Sequence, residues 1–200
     1  TSVSDDKERQ RGVFRKMLRF TSFIAFPAML GLALVANELI VIAVTDKWLP
    51  CVPFLQLLCI WGAFFPITTL YTNLIISKGK SNIYMWNTII LGALQLLTLL
   101  IVHPYGIEAM IIAFVAINVG WLLIWQYFVW RLIGLSLFSA VKDIFPFAVV
   151  ALLTMAATYF ITLCIGNIYL LFASKIIVAA AIYVVIMWLS HSVVFKESIE

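Results

Sequence analysis

The stretch LIISKGKSNIYMWNTIILG, residues 74–92, places a Lys-Gly-Lys turn between two long apolar runs. Lys78 and Lys80 flank Gly79, a residue that breaks helices, and almost no charge lies on either side. In a soluble protein such a segment would be a loop between two buried elements. In a membrane protein it would be a tight turn on the cytoplasmic face, where lysine sets the orientation of the helices. The composition of the whole chain decides between these two interpretations.

The composition is that of a protein whose main solvent is lipid. Of the 200 residues, 64% are hydrophobic and only 11% are charged, and the mean hydropathy is +1.11. A soluble domain carries about 25% charged residues, because water must wet its surface. A strand-type alternation of polar and apolar residues is absent, which disfavours a β-barrel. The sequence therefore predicts an all-α integral membrane protein, whose helices satisfy their own backbone hydrogen bonds.

Six stretches are long enough to cross a membrane, for which about 20 mostly apolar residues are needed. The predicted spans are residues 18–36, 52–77, 83–102, 109–130, 144–165 and 170–194. We interpret residues 1–17 as a charged cytoplasmic linker helix and residues 18–200 as the transmembrane bundle. The charged start has no signal-peptide layout, so we expect a C-terminal fragment of a longer protein.

The basic residues between the spans predict the orientation of the bundle. One side carries 11 of the 13 basic residues, and the other side carries only Lys47 and Lys175. The 11 residues are Lys7, Arg9, Arg11, Arg15, Lys16, Arg19, Lys78, Lys80, Arg131, Lys142 and Lys196. The richer side should be cytoplasmic, and both termini should lie there because the number of spans is even. The Lys-Gly-Lys segment is then a cytoplasmic turn.

Several functional classes lack the residues that they require. Cys51, Cys59 and Cys164 have neither disulfide nor metal-ligand spacing, and His103 and His191 stand alone near opposite faces of the membrane. Every aspartate lies outside the predicted spans, and no phosphate-binding loop or Ser/His/Asp pattern is present. The net charge of +4 follows from topology and does not indicate nucleic-acid binding. We expect no enzyme, no metal and no cofactor.

Four spans carry polar residues that repeat at helical spacing and therefore share a helix face. Span by span they are Thr69, Asn73 and Ser77; Asn87 and Gln95; Asn118 and Gln126; and Thr154, Thr158 and Thr162. One interpretation is hydrogen bonding between helices, worth about 0.6 kcal/mol each. The other is the lining of a hydrated substrate path. For the threonines the first interpretation is favoured, because their hydroxyls can bond the preceding turn of their own helix.

Charges are sparse in the predicted spans, and Arg19 and Glu38 lie near the two ends of the first one. Arg19 can extend its charged end to the membrane surface, and we expect Glu38 to reach the outer interface. The deep interior otherwise lacks charge, which disfavours a proton or sodium site built wholly from this chain.

An ordered set of short motifs resembles a known family. The motifs are SDDKER at 4–9, a Pro-x-x-x-Gly at 27–31, DKW at 46–48, SKGKSN at 77–82 and VHPYGIEA at 102–109. In this order they resemble the Wzx-like polysaccharide flippases of the multidrug/oligosaccharidyl-lipid/polysaccharide exporter superfamily. The resemblance covers essentially the whole chain and is strongest over its first half.

The resemblance implies a fold and a function. Such flippases consist of two bundles that form a V around a central cavity, and this chain would be the C-terminal bundle, the last six of about fourteen spans. The full protein would move a polyprenyl-diphosphate-linked oligosaccharide across the bacterial inner membrane for O-antigen or similar surface polysaccharide. The alternatives are a multidrug/cation antiporter of the same superfamily, or a membrane anchor without transport activity.

The resemblance also implies partners and site residues. Family members hold the diphosphate with basic residues, which makes Arg19 a candidate ligand. The other candidates for the substrate path are Thr69, Asn73, Ser77, Asn87, Gln95, Asn118 and Gln126. The expected partners are the lipid-linked oligosaccharide, membrane lipid, the N-terminal half of the transporter and the polysaccharide polymerase machinery. A coupling ion, if used, is not identified by the sequence.

Overall fold

A computed structural model describes residues 2–163 and 165–189 of the chain. Its regular structure in these ranges is helical, with no strand, which confirms the predicted all-α fold. The α-helices are α1 (Ser2–Leu34), α2 (Ala36–Ala43), α3 (Val52–Ser77), α4 (Ser81–Val102), α5 (Ile107–Ile133), α6 (Leu137–Thr162) and α7 (Ile168–Leu189). Short 3-10 turns cover Asp46–Cys51 and His103–Tyr105.

Six helical segments of the described chain are long and apolar enough to cross a membrane, as predicted. They are Lys7–Leu34, Asp46–Ser77, Ser81–Tyr105, Ile107–Ile133, Leu137–Thr162 and Ile168–Trp188. Positions 190–194 of the last predicted span lie outside the described residues, as do Cys164, His191 and Lys196.

The first two helices differ from the sequence expectation. The predicted linker helix and the first span form one continuous helix, α1, with Pro27 inside it. The interruption falls at Val35, whose φ of −95° and ψ of 5° separate α1 from α2. The segment after 36, predicted as an outer loop, therefore contains a further short helix. That helix is apolar except for Asn37 and Glu38, and it packs against α7.

The chain divides into two compact units, and the division falls inside α1, α3 and α6. Unit 1 comprises residues 1–18 and 64–143, and unit 2 comprises residues 19–63 and 144–200.

Unit 1 is held together by aromatic and aliphatic packing. Phe14 of α1 stacks on Tyr71 of α3 with ring centroids 5.7 Å apart, and both side chains are buried. Helix α4 packs along α5, where the rings of Tyr84 and Trp125 lie 6.2 Å apart. These contacts fix the neighbouring helices that present the polar residues described below.

The Lys-Gly-Lys segment forms a tight turn between α3 and α4. Gly79 has a φ of +71°, a left-handed conformation that glycine adopts without steric cost. Its N–H donates to the Ile76 carbonyl at 2.9 Å, and the Lys80 N–H donates to the Ile75 carbonyl at 3.1 Å. The turn thus satisfies the last carbonyls of α3 in the manner of a C-cap.

Unit 2 packs around an aromatic cluster that joins α1, α6 and α7. The ring of Phe23 lies 6.3 Å from Phe147 and 5.6 Å from Tyr183. The Tyr183 hydroxyl donates to the Phe23 carbonyl at 2.8 Å, which satisfies its polar end. At Gly62 of α3 a Cβ atom would lie 2.9 Å from Met29 Sδ, so the absence of a side chain lets α1 and α3 approach closely.

Candidate functional site

A polar stripe lies exposed on α3 of unit 1. Thr69, Asn73 and Ser77, which share one face, are all exposed. Thr69 Oγ1 donates to the Phe65 carbonyl at 3.1 Å, and Ser77 Oγ donates to the Leu74 carbonyl at 2.8 Å. Each hydroxyl oxygen can still accept a hydrogen bond from a ligand, because its lone pairs are not used by the bond that it donates.

The stripe leads into a cationic cavity, which we name the α1–α3 cavity. It has a volume of about 420 Å³ and includes Ser77 in its wall. The other lining residues are Arg9, Gln10, Val13, Phe14, Met17, Leu74 and Lys78. The Lys78 ammonium donates to the side-chain oxygen of Gln10, which orients it. The described side chains of its wall include two cations and no carboxylate, so this cavity favours an anionic group.

The remaining predicted site residues are not among the residues that line that cavity. Arg19 is half-buried in unit 2 and is not among the residues that line the α1–α3 cavity. Its role as a diphosphate ligand stays a prediction.

The polar residues of α4 and α5 bond within unit 1. Gln95 Nε2 donates to Asn118 Oδ1 at 3.1 Å, which links the two helices. Gln126 Nε2 donates to the Leu135 carbonyl at 2.8 Å and ties α5 to the turn before α6. Asn87 donates to the carbonyl one turn earlier in its own helix. These contacts agree with the interpretation as structural hydrogen bonds, and a place for these side chains in a substrate path stays a prediction.

The threonines of α6 bond their own helix, as the sequence favoured. Thr158 Oγ1 donates to the Thr154 carbonyl and Thr162 Oγ1 to the Thr158 carbonyl, both at 2.8 Å. All three side chains are buried in unit 2. This stripe is therefore internal to the bundle.

A charged pair that the sequence analysis missed joins α1 to α6 in unit 1. Arg15 donates to both carboxylate oxygens of Asp143, at 2.6 Å and 3.0 Å. Asp143 is 5% exposed, whereas the Arg15 side chain is 33% exposed. Arg15 and Asp143 are 128 positions apart in the sequence, so no local spacing indicates that they pair.

A second missed pair is buried in unit 2. Lys175 Nζ lies 2.7 Å from Glu38 Oε1, and the side chains are 7% and 4% exposed. The same ammonium donates to the Leu34 carbonyl at 3.3 Å, at the end of α1, and lies 5.9 Å from the Tyr159 ring centre. Glu38, which we expected to reach the outer interface, is covered by protein, because α2 turns its carboxylate toward Lys175 of α7. The interior of the described chain therefore does hold charge.

Parts of the chain are similar to known proteins. Residues 1–53 match a family model described as "Polysaccharide biosynthesis protein". An uncharacterized membrane protein in the cps region of Klebsiella pneumoniae is 42% identical over 80 residues, which are 40% of this chain and 16% of that protein. The lipopolysaccharide biosynthesis protein WzxC of Escherichia coli (strain K12) is 35% identical over 81 residues, with the same two shares. No solved structure matches.

The fold and these relatives define a class of protein. Six helices of the described residues are long and apolar enough to cross a membrane, and one relative is described as a membrane protein, which supports a multi-pass membrane protein. By these matches the chain is similar to proteins of polysaccharide and lipopolysaccharide biosynthesis. The matched segment spans only 16% of the length of each relative.

Proposed function

We propose that the full-length protein translocates a polyprenyl-diphosphate-linked oligosaccharide across the bacterial inner membrane for surface polysaccharide biosynthesis. In this proposal the present chain forms the C-terminal bundle of a two-bundle, V-shaped transporter. The observation that carries the proposal is the exposed polar stripe Thr69–Asn73–Ser77, which continues into the α1–α3 cavity.

Such a substrate has a diphosphate, sugars and a hydrocarbon chain, and each of these has a chemically suitable surface in this chain. Its diphosphate is anionic and would bind the Arg9 guanidinium and the Lys78 ammonium through charge-assisted hydrogen bonds. Its sugar hydroxyls would bond the Asn73 amide and the Thr69 and Ser77 hydroxyls. Its hydrocarbon chain would remain against exposed apolar helix faces, where transfer into water is avoided.

The N-terminal half would supply the other wall of the path, since transporters built from repeats place their substrate between the halves. A cation antiporter would instead need an acidic or aromatic cavity. Two cations in the α1–α3 cavity repel a cationic drug, so this site favours the anionic lipid substrate over that alternative.

Deleting the gene should leave lipid-linked oligosaccharide on the cytoplasmic leaflet and remove the surface polymer, because the polymer is built from translocated units. Tolerance of cationic drugs should not change. The measurements are the amount of surface polysaccharide and the growth of deletion and complemented strains in drug. Normal polymer together with drug sensitivity would show that the antiporter alternative is correct.

The proposed path requires the termini and the Lys-Gly-Lys turn to face the cytoplasm. In a cysteine-free background, Ser81→Cys and Ser139→Cys should resist an impermeant thiol reagent applied from outside, and Asn167→Cys should react. Ser81 and Asn167 are exposed, so a difference in labelling reports the side of the membrane and not burial. Labelling of Ser81→Cys in intact cells would reject this topology.

A further inference from the structure

Unit 1 contains a second basic cavity, formed by α1 and the end of α5. Its volume is about 360 Å³, and we name it the α1–α5 cavity. The lining residues are Lys7, Glu8, Arg11, Trp130, Arg131, Ile133 and Gly134. None of them belongs to the α1–α3 cavity or to the polar stripe of α3.

The described charged side chains that line the α1–α5 cavity are mostly basic. Among the side chains that the structure describes, three cations and one carboxylate, Glu8, line it. Glu8 Oε1 lies 3.4 Å from Arg11 Nη2, and its side chain is 76% exposed, so solvent screens this pair strongly. The carbonyl end of α5 adds a partial charge of about −0.5. Among the described side chains of this cavity the cations are in excess, which favours an anion.

Two guanidinium groups line this cavity, and one N–H of Arg11 is shared with Glu8. Arg131 lies 5.9 Å from the Tyr127 ring centre, a contact that orients the guanidinium while leaving its N–H groups available. Gly134, with a φ of +71°, ends α5, and a Cβ atom there would lie 4.0 Å from Arg11 Nη1. The lack of a side chain keeps the space next to Arg11 open.

An exposed apolar stripe leads away from the α1–α5 cavity along α5. Leu123, Tyr127 and Trp130 are 59%, 49% and 51% exposed, and their spacing of four and three residues places them on one face. Tyr and Trp prefer the headgroup depth of a membrane. A cationic cavity that continues into an apolar stripe matches a molecule with a phosphate at one end and a hydrocarbon chain at the other.

We propose that the α1–α5 cavity binds the phosphate headgroup of an anionic phospholipid, with an acyl chain along the stripe Leu123–Tyr127–Trp130. Basic cavities between membrane helices on the cytoplasmic side are suited to such headgroups. The proposal does not depend on what the protein transports.

The test measures lipid binding to the purified full-length protein in detergent by native mass spectrometry. The probes are cardiolipin, phosphatidylglycerol, phosphatidylcholine, inorganic phosphate and undecaprenyl diphosphate. Arg11→Gln/Arg131→Gln should weaken cardiolipin binding by about 30-fold, since each basic contact contributes roughly fivefold. The control Lys80→Gln/Lys142→Gln removes the same charge at two exposed positions of unit 1 and should change the affinity less than about twofold.

Two further variants distinguish binding of the lipid headgroup from binding of the acyl chain. Trp130→Ser should weaken cardiolipin binding while leaving any binding of inorganic phosphate unchanged. If the arginine double variant does not purify as a single species, Lys7→Gln, a change at an exposed position, should weaken cardiolipin binding about fivefold.

Three results would overturn the proposal. An equal loss of cardiolipin affinity in Arg11→Gln/Arg131→Gln and in Lys80→Gln/Lys142→Gln would mean that the lipid is attracted by the net charge of the protein and not by this cavity. Inorganic phosphate binding as tightly as cardiolipin would make the cavity an anion site without lipid. Tighter binding of undecaprenyl diphosphate than of cardiolipin would assign the cavity to the transported substrate.

Discussion

Lys175→Met should destabilise the protein by about 3–5 kcal/mol, because it leaves the buried Glu38 carboxylate without its partner. The ion pair is 2.7 Å long and both side chains are less than a tenth exposed. Glu38 Oε2 has no hydrogen-bond partner among the described residues, so the carboxylate depends on Oε1 for its stabilisation. The measurement is the unfolding free energy of the full-length protein in mixed detergent micelles.

A double replacement separates the cost of an unpaired charge from that of altered packing. Glu38→Leu/Lys175→Met should recover most of the lost stability, since apolar residues can replace a buried pair without penalty. Lys80→Met, at an exposed position, should change the unfolding free energy by less than about 0.5 kcal/mol. Wild-type stability of Lys175→Met would mean that Glu38 is solvated and the pair is not buried in the folded protein.

Arg9→Gln/Lys78→Gln should slow translocation by at least about tenfold, because hydrogen bonds to charged groups contribute about 1.5–3 kcal/mol each. Both side chains line the α1–α3 cavity, where the proposal places the substrate diphosphate. The measurement is the rate at which lipid-linked oligosaccharide changes leaflet in proteoliposomes that contain equal amounts of folded protein.

The matched control for this prediction is Lys80→Gln/Lys142→Gln. It removes two positive charges from the same unit at exposed positions and should keep the rate within about twofold of wild type. Equal slowing by both pairs would attribute the effect to net charge. An unchanged rate in Arg9→Gln/Lys78→Gln would remove the α1–α3 cavity from the substrate path.

The helices were predictable because their signals are local. An apolar run of about 20 residues is sufficient to indicate a span, and Gly79 between two lysines indicates the turn that its left-handed φ confirms. The interruption at Val35 has no such signal, since neither glycine nor proline marks it. The helix break accompanies the packing of α2 against α7, a contact between distant segments that the sequence does not indicate.

The candidate site was only partly predictable because it depends on contacts between distant segments. Spacing alone placed Thr69, Asn73 and Ser77 on one face of α3, but it could not show that this face is exposed while Asn118 is buried. The Glu38–Lys175 pair spans 137 positions. Such a pair forms only through the packing of helices, so no sequence pattern connects Glu38 with Lys175.

The most direct test of the proposed flippase function follows lipid-linked oligosaccharide in proteoliposomes that contain the full-length protein. The substrate is loaded in one leaflet, and its sugars are detected from outside with an impermeant lectin or glycosidase. We predict that the protein raises the fraction of accessible sugar well above that of protein-free vesicles, at a rate that Arg9→Gln/Lys78→Gln reduces. Accessibility equal to that of protein-free vesicles, with folded protein present, would contradict the proposed translocation.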